Sequence, residues 1–244
     1  MGQHINRQAV RARFAADGYV CFREYFSGEQ LAELRYQMDR FVRDVLPGLP
    51  GGGGIWYDPA RPATLMRMAQ MYEHDAYFKD LISGSRIERL AECLLDRPVV
   101  IHNMQYFNKP AGSGSPTPPH QDGYYFQIDP IEALSFWIAL EDVDEQTGCM
   151  RLVRGSHRRG MRPHVKSDAV GFSQRIDNYP LPDDVAHETA LSARGGDMLA
   201  FDVLAIHRAD GNRSLLRSRQ ALGIVYYSTR ARKVGAGGAS RGGA

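Results

Sequence analysis

A chain of 244 residues with 43% apolar content is long enough to bury one sizeable core, and one domain with helical additions is expected rather than two. No run of about 18 apolar residues occurs, and the opening MGQHINRQAVRARFAADGYV lacks the apolar centre of a secretory leader; no membrane association is expected, and the cytoplasm is the expected location. The net charge of +2 is unevenly placed: Arg230, Arg232, Lys233 and Arg241 give the last fifteen residues +4 and leave residues 1–229 at −2, which speaks against a nucleic-acid partner.

Along the chain, the opening segment reads as a surface helix. Ser27 followed by Gln30 fits a capping box, and Leu31, Leu34, Met38, Phe41 and Val45 then recur at the spacing of one apolar helix face. LPGLPGGGGIWYDPARP, with four consecutive glycines, breaks that pattern and reads as a loop; Ile55, Trp56 and Tyr57 behind the glycine hinge make it a candidate lid. Helical patterning is expected again over about 65–95, with Leu81, Ile87, Leu90, Ala91 and Leu94 as its apolar face. From Pro98 the character changes to short β-rich runs between turn residues: PVVIHNMQYF, ALSFWIALEDV, GCMRLVRG, DMLAFDVLAIH and RQALGIVYYS. The expected architecture is mainly β with α additions: a helical part over 1–97 packed on a jelly-roll (double-stranded β-helix, cupin-like) core over 98–229, with 230–244 as a flexible basic, glycine-rich tail. Cys21, Cys93 and Cys149 are too scattered for a disulfide framework or a zinc knuckle and read as small core residues.

The stretch PTPPHQDGYYF draws attention to His120 and Asp122. On a strand, residues two apart share a side, so an imidazole and a carboxylate would be presented together. With eight histidines in the chain, one such spacing is expected by chance, and a third ligand is needed. His4, His74, His157, His164 and His187 lie in polar or terminal segments and read as surface histidines; His102 reads as a core histidine in an apolar strand. His207 closes the run DMLAFDVLAIH, where a strand end would bring it to a barrel rim, and is the best third ligand. Two histidines and one carboxylate with open positions suit non-haem Fe(II), whereas structural zinc wants four protein ligands. Arg217 and Arg219, at the start of the last strand, are candidates to hold a cosubstrate carboxylate through a guanidinium fork.

The phrases FNKPAGSGSPTPPHQDGYYF, LSFWIALEDVDEQTGCMRLVRGSHRRG, GDMLAFDVLAIH and HRADGNRSLLRSRQAL, in that order, resemble the phytanoyl-CoA dioxygenase family of Fe(II)- and 2-oxoglutarate-dependent oxygenases, and FAADGYVCFREYFSGEQLAELR resembles its opening strand and helix. The resemblance implies iron ligands at His120, Asp122 and His207, and a strand arginine for the distal carboxylate of 2-oxoglutarate. The family's usual arginine position, eleven residues after the distal histidine, is Ser218 here, so Arg219 is the choice and Arg217 the fallback. Gln105 and Trp137 match positions lining the cosubstrate pocket, with a strand polar residue and a core tryptophan as the alternative readings; Tyr124, Tyr125 and Phe126 are further candidates for the cavity wall. Asp122, where halogenating relatives carry a small residue, favours hydroxylation over chlorination. The expected activity is O2-dependent hydroxylation of a small-molecule metabolite with release of succinate and CO2. Two other readings stand beside it: a cupin-like metal isomerase or hydrolase, which needs no strand arginine, and a non-catalytic barrel binding protein.

Overall fold

The computed structural model describes residues 6–50, 53–61, 64–112, 115–169 and 171–234. In chain order the elements are α1 (Arg7–Asp17), β1 (Tyr19–Phe22), α2 (Gly28–Arg40), β2 (Gly54–Trp56), β3 (Leu65–Ala69), α3 (Met71–His74), α4 (Ala76–Ile82), α5 (Arg86–Leu95), β4 (Val99–Lys109), β5 (Thr117–His120) and α6 (Gly123–Phe126). They continue as β6 (Ile128–Asp129), β7 (Ala133–Ala139), β8 (Met150–Val153), β9 (His164–Lys166), β10 (Gln174–Ile176), α7 (Pro182–His187), β11 (Glu188–Leu191), β12 (Met198–Asp202), β13 (His207–Ala209), β14 (Arg219–Ser228) and β15 (Arg232–Lys233).

Local chemistry fixes the helix ends. Ser27 and Gln30 form the reciprocal capping box read from the sequence, and Ser85 accepts from the backbone N–H groups of Ile87 and Glu88 to start α5. Leu31, Leu34 and Met38 on α2, and Ile87, Leu90, Ala91 and Leu94 on α5, are buried as one stripe per helix. Both stripes pack against the outer face of a seven-stranded sheet ordered β1-β12-β7-β14-β4-β3-β2. That face presents Leu134, Phe136 and Ile138 of β7 and Leu222, Ile224 and Tyr226 of β14, and the buried Tyr226 hydroxyl donates to the Ile82 carbonyl at 2.6 Å, tying the sheet to α4.

The inner face carries the alternate residues. Trp137, Ala139, Leu199, Phe201 and Ala221 meet Met150 and Leu152 from a four-stranded sheet ordered β11-β8-β13-β5. Every pairing in the two sheets is antiparallel, the mark of a jelly roll, and β7, central and covered on both sides, is buried at all seven positions. No described helix is long and apolar enough to cross a membrane.

Four expectations need correction. Leu65–Ala69 is a strand, because pairing with β4 outweighs the helix preference of its leucine and methionines. Gly54–Trp56 is an edge strand hydrogen-bonded to β3, and Trp56 packs on the helix-side core, so this stretch is a hairpin rather than a free loop; Gly51 and Gly52 lie outside the described residues. The run DMLAFDVLAIH is two strands, not one: Asp202 accepts from the Leu204 N–H at 2.8 Å, and the turn moves the chain from the seven-stranded to the four-stranded sheet. Finally, Arg232 and Lys233 of the predicted tail pair with Asp129 and Ile128 as β15, while residues 235–244 lie outside the described residues. Of the cysteines, Cys149 is buried as expected, but Cys21 is exposed.

Candidate metal centre

The turn after β12 explains how His207 reaches the site. It opens β13 rather than closing β12, and sits in register with His120 of β5, so the two imidazoles are cross-strand neighbours with ring centroids 4.1 Å apart. Asp122 is not on the strand. It stands in helical conformation at the start of the single turn α6, and the chain's bend there swings its carboxylate under both rings. His120 Nε2 lies 3.4 Å and His207 Nε2 3.5 Å from Asp122 Oδ1. Among the described residues, these three form the group of side chains whose donor atoms all fall within 4.8 Å of one another.

Hydrogen bonding fixes which atoms are free to bind. His120 Nδ1 faces the Pro118 carbonyl at 2.8 Å, and His207 Nδ1 faces the Ala205 carbonyl at 3.0 Å. A carbonyl only accepts, so each Nδ1 carries the proton and each Nε2 turns a lone pair toward the carboxylate. Burial, with His120 close by, lowers the His207 pKa to about 4 despite the opposing pull of Asp122. Burial alone would raise the Asp122 pKa, but His207, His120 and the Ser135 hydroxyl outweigh it and bring it down to about 2. The cluster therefore turns a carboxylate oxygen and two ring-nitrogen lone pairs toward one point, a donor set that fits a divalent cation.

The supporting shell was not legible in the sequence. Ser135, on the inner face of β7, donates to Asp122 Oδ2 at 2.7 Å, leaving Oδ1 for the shared point. Gln121, fully buried between His120 and Asp122 in the chain, donates to the carbonyls of Gly160 (2.9 Å) and Leu204 (2.7 Å) and accepts from the Arg162 N–H (2.8 Å). Its own N–H donates to His164 Nε2 at 3.2 Å, and the His164 ring stacks on Tyr124 at 4.2 Å. His164, read as a surface histidine, is instead a partly buried prop for the turn that aims His120 and Asp122.

The three donor residues line a cavity of about 690 Å³ between the sheets. Gln105, Trp137 and Arg219 all line it, as do Tyr125 and Phe126, whereas Tyr124 is occupied with His164. Arg219 is buried; its Nε–H donates to the Gly148 carbonyl at 3.2 Å, and its guanidinium lies 5.3 Å from the centre of the Trp137 ring. No carboxylate pairs with it among the described residues, and burial lowers its pKa to about 10. Arg217 is exposed and engaged with Asp144 at 2.7 Å, away from the cavity. Beside Arg219, in register with it across β4, Lys109 is also buried, its Nζ donating to the Asp210 carbonyl at 2.7 Å. The cavity thus joins the cluster of His120, Asp122 and His207 to the buried guanidinium of Arg219.

Comparison with known proteins agrees with this arrangement. The family model "Phytanoyl-CoA dioxygenase (PhyH)" matches residues 14–221. Phytanoyl-CoA dioxygenase 1 of Oryza sativa subsp. japonica is 31% identical over 162 residues, 65% of this chain; the match spans 56% of the rice protein, so the chain corresponds to little more than half of that relative. Among solved structures, the epimerase SnoN in complex with Fe3+, alpha-ketoglutarate and nogalamycin RO superposes with a TM-score of 0.74 at 23% identity, covering 93% of this chain and 85% of SnoN. EctD from S. alaskensis with 2-oxoglutarate and 5-hydroxyectoine gives a TM-score of 0.74 at 21% identity, covering 94% of this chain and 78% of EctD. With a family match that runs through β1, the metal-centre strands and the start of β14, this chain belongs to the phytanoyl-CoA dioxygenase (PhyH) family.

Proposed function

We propose that the protein is an Fe(II)- and 2-oxoglutarate-dependent oxygenase that hydroxylates a C–H bond of a small molecule. The observation that carries this reading is one cavity with His120 Nε2, His207 Nε2 and Asp122 Oδ1 converging at one place and the carboxylate-free guanidinium of Arg219 at another. His120, Asp122 and His207 would hold iron, which with 2-oxoglutarate supplies the oxidising power: O2 is consumed as the keto acid is converted to succinate and CO2.

The rest of the chemistry is positioning by the chain's own residues. Arg219 offers two parallel N–H groups to the distal carboxylate of 2-oxoglutarate, and Trp137 under its guanidinium keeps the fork from swinging. Lys109, beside Arg219 and largely uncharged at neutral pH because burial and Arg219 lower its pKa to about 6, donates to the Asp210 carbonyl and leaves the positive charge of this end to Arg219. Ser135 holds Asp122 so that one oxygen faces the centre. Phe172 against the His120 ring, at 5.3 Å, and Phe201 against His207, at 4.8 Å, keep water from the back of the imidazoles.

The test is anaerobic reconstitution with Fe(II) and 2-oxoglutarate, then exposure to O2 with and without candidate substrates. Succinate release together with a product one oxygen atom heavier is the expected result. Isomerised product without 2-oxoglutarate consumption would transfer the site to the metal isomerase class.

A further inference from the structure

Three arginines line the cavity, and their partners separate them. Arg208 is neutralised by Glu188, at 2.7 and 2.8 Å, and by Asp210, at 2.6 Å. Arg219 is assigned above to the cosubstrate. The side chain of Arg67, in the middle of β3, has neither an ion pair nor a hydrogen bond among the described residues, although it is partly buried. It lies opposite Phe107 on β4, and Ala69 lies opposite Gln105, which puts Arg67 on the cavity side of the sheet, while its neighbour Met68, opposite Tyr106, packs in the helix-side core. Burial lowers its pKa, and the group that opposes this, Tyr125, does so only as a phenolate, a form that burial itself disfavours. Asp168, the other acid lining the cavity besides Asp122, is exposed and forms no ion pair among the described residues.

A guanidinium keeps its charge at any ordinary pH, so one partly withdrawn from water and paired with no acid is a standing cost that a ligand anion removes. Arg67 and Arg219 stand on the two strands that flank β4, so roughly two strand spacings, on the order of 10 Å, separate their backbones. One five-carbon cosubstrate gripping Arg219 and the metal centre leaves Arg67 unanswered. On β4 itself, Asn103 lines the same cavity, and its Oδ1 is buried with no hydrogen-bond partner in the structure.

We propose that Arg67 and Asn103 form the substrate-recognition end of the cavity, and that the substrate is a small acid: a carboxylate or phosphate-type anion held by Arg67, with an N–H or O–H group donated to Asn103. The proposal rests on reading the cavity as that of a 2-oxoglutarate oxygenase, with Arg219 committed to the cosubstrate. It makes the enzyme selective for anionic metabolites over neutral ones of the same shape.

The experiment uses the full chain loaded with Mn(II) and saturating 2-oxoglutarate under argon, with binding followed by calorimetry. The probes are a panel of small amino, hydroxy and phosphonic acids, each paired with its neutral ester or amide. Wild-type protein is expected to bind at least one acid in the panel and to prefer it to its neutral partner, and carboxylates compared with phosphonates identify the anion. Arg67→Met should weaken that acid about 10- to 100-fold, Arg67→Lys should recover part of the loss, and the neutral partner should be indifferent to both changes. Asn103→Leu should weaken acids and neutral partners alike. Equal binding of acids and neutral partners by the wild type, or no acid bound at all, overturns the proposal. So does a large loss of 2-oxoglutarate affinity in Arg67→Met, which would place Arg67 in the cosubstrate site. Failure of the underlying reading looks different: 2-oxoglutarate itself would not bind the metal-loaded wild type, and the acid panel run without it would still report on Arg67.

Discussion

Replacing Arg219 with methionine separates a binding residue from a structural one, because the two roles predict opposite signs. In the ligand-free protein the guanidinium is buried, its acceptor is a single carbonyl 3.2 Å away, and its pKa is down at about 10 from 12.5. That shift corresponds to a burial cost on the order of 3 kcal/mol, partly offset by the Gly148 bond and the Trp137 contact, which methionine loses. The metal-free variant should therefore be as stable as wild type or up to about 2 kcal/mol more stable in urea unfolding. Binding should move the other way. Two charge-assisted hydrogen bonds at ~1.5 kcal/mol each give ~3 kcal/mol, or about 100-fold in the dissociation constant of 2-oxoglutarate, measured calorimetrically with Mn(II) bound. A variant destabilised by more than about 2 kcal/mol with its 2-oxoglutarate affinity intact would refute the assignment and make Arg219 a structural prop.

Ser135→Ala frees one oxygen of Asp122 and should weaken metal affinity about 10- to 100-fold with unchanged circular dichroism; competition with a chromophoric chelator reads this directly, and unaltered affinity would remove Ser135 from the centre. Lys109, lowered by burial and by neighbouring Arg219 to about 6 from 10.5, should impose a pH slope: between those values the unfolded chain holds a proton that the folded chain has released, so stability rises with pH by up to about 1.4 kcal/mol per unit. Lys109→Met should flatten this part of the profile between pH 6 and 10 in the metal-free protein, and superimposable wild-type and variant curves would show that the lysine is not desolvated. Gly148 has φ of +81°, and a Cβ there would lie 2.3 Å from the Asp210 carbonyl oxygen, so Gly148→Ala should cost about 2–4 kcal/mol in urea unfolding and disturb the carbonyl that seats Arg219. A variant as stable as wild type would mean that the turn can relax.

Much of the scaffold could be read directly. RQALGIVYYS coincides with β14 from end to end, because an unbroken β-rich run in a sheet covered on both sides needs no tertiary information to identify it. The apolar stripes of α2 and α5 were visible for the same kind of reason. What failed was decided by partners distant in sequence. Leu65–Ala69 is a strand only because β4 offers it an edge, and DMLAFDVLAIH divides where a carboxylate captures a backbone N–H. His120 and His207 emerged from spacing and strand position, but the reasoning for Asp122 assumed a strand where there is a turn, and reached the right neighbours by a different geometry. Ser135 and Arg67 carried no signal at all, since a lone serine in an apolar strand and a lone arginine among methionines acquire meaning only through cross-sheet placement.

The two histidines belong to the four-stranded sheet, while the serine gripping Asp122 belongs to the seven-stranded one. The centre therefore spans the sandwich like a feeler gauge set between two plates. A substitution deep between the sheets, at Leu152 or Ala139, that thickens or thins the filling would be felt at the donor atoms before it was felt in the melting curve. In this protein the tolerance of the interior to change is set less by how much stability it can lose than by how closely the two plates must stay gapped.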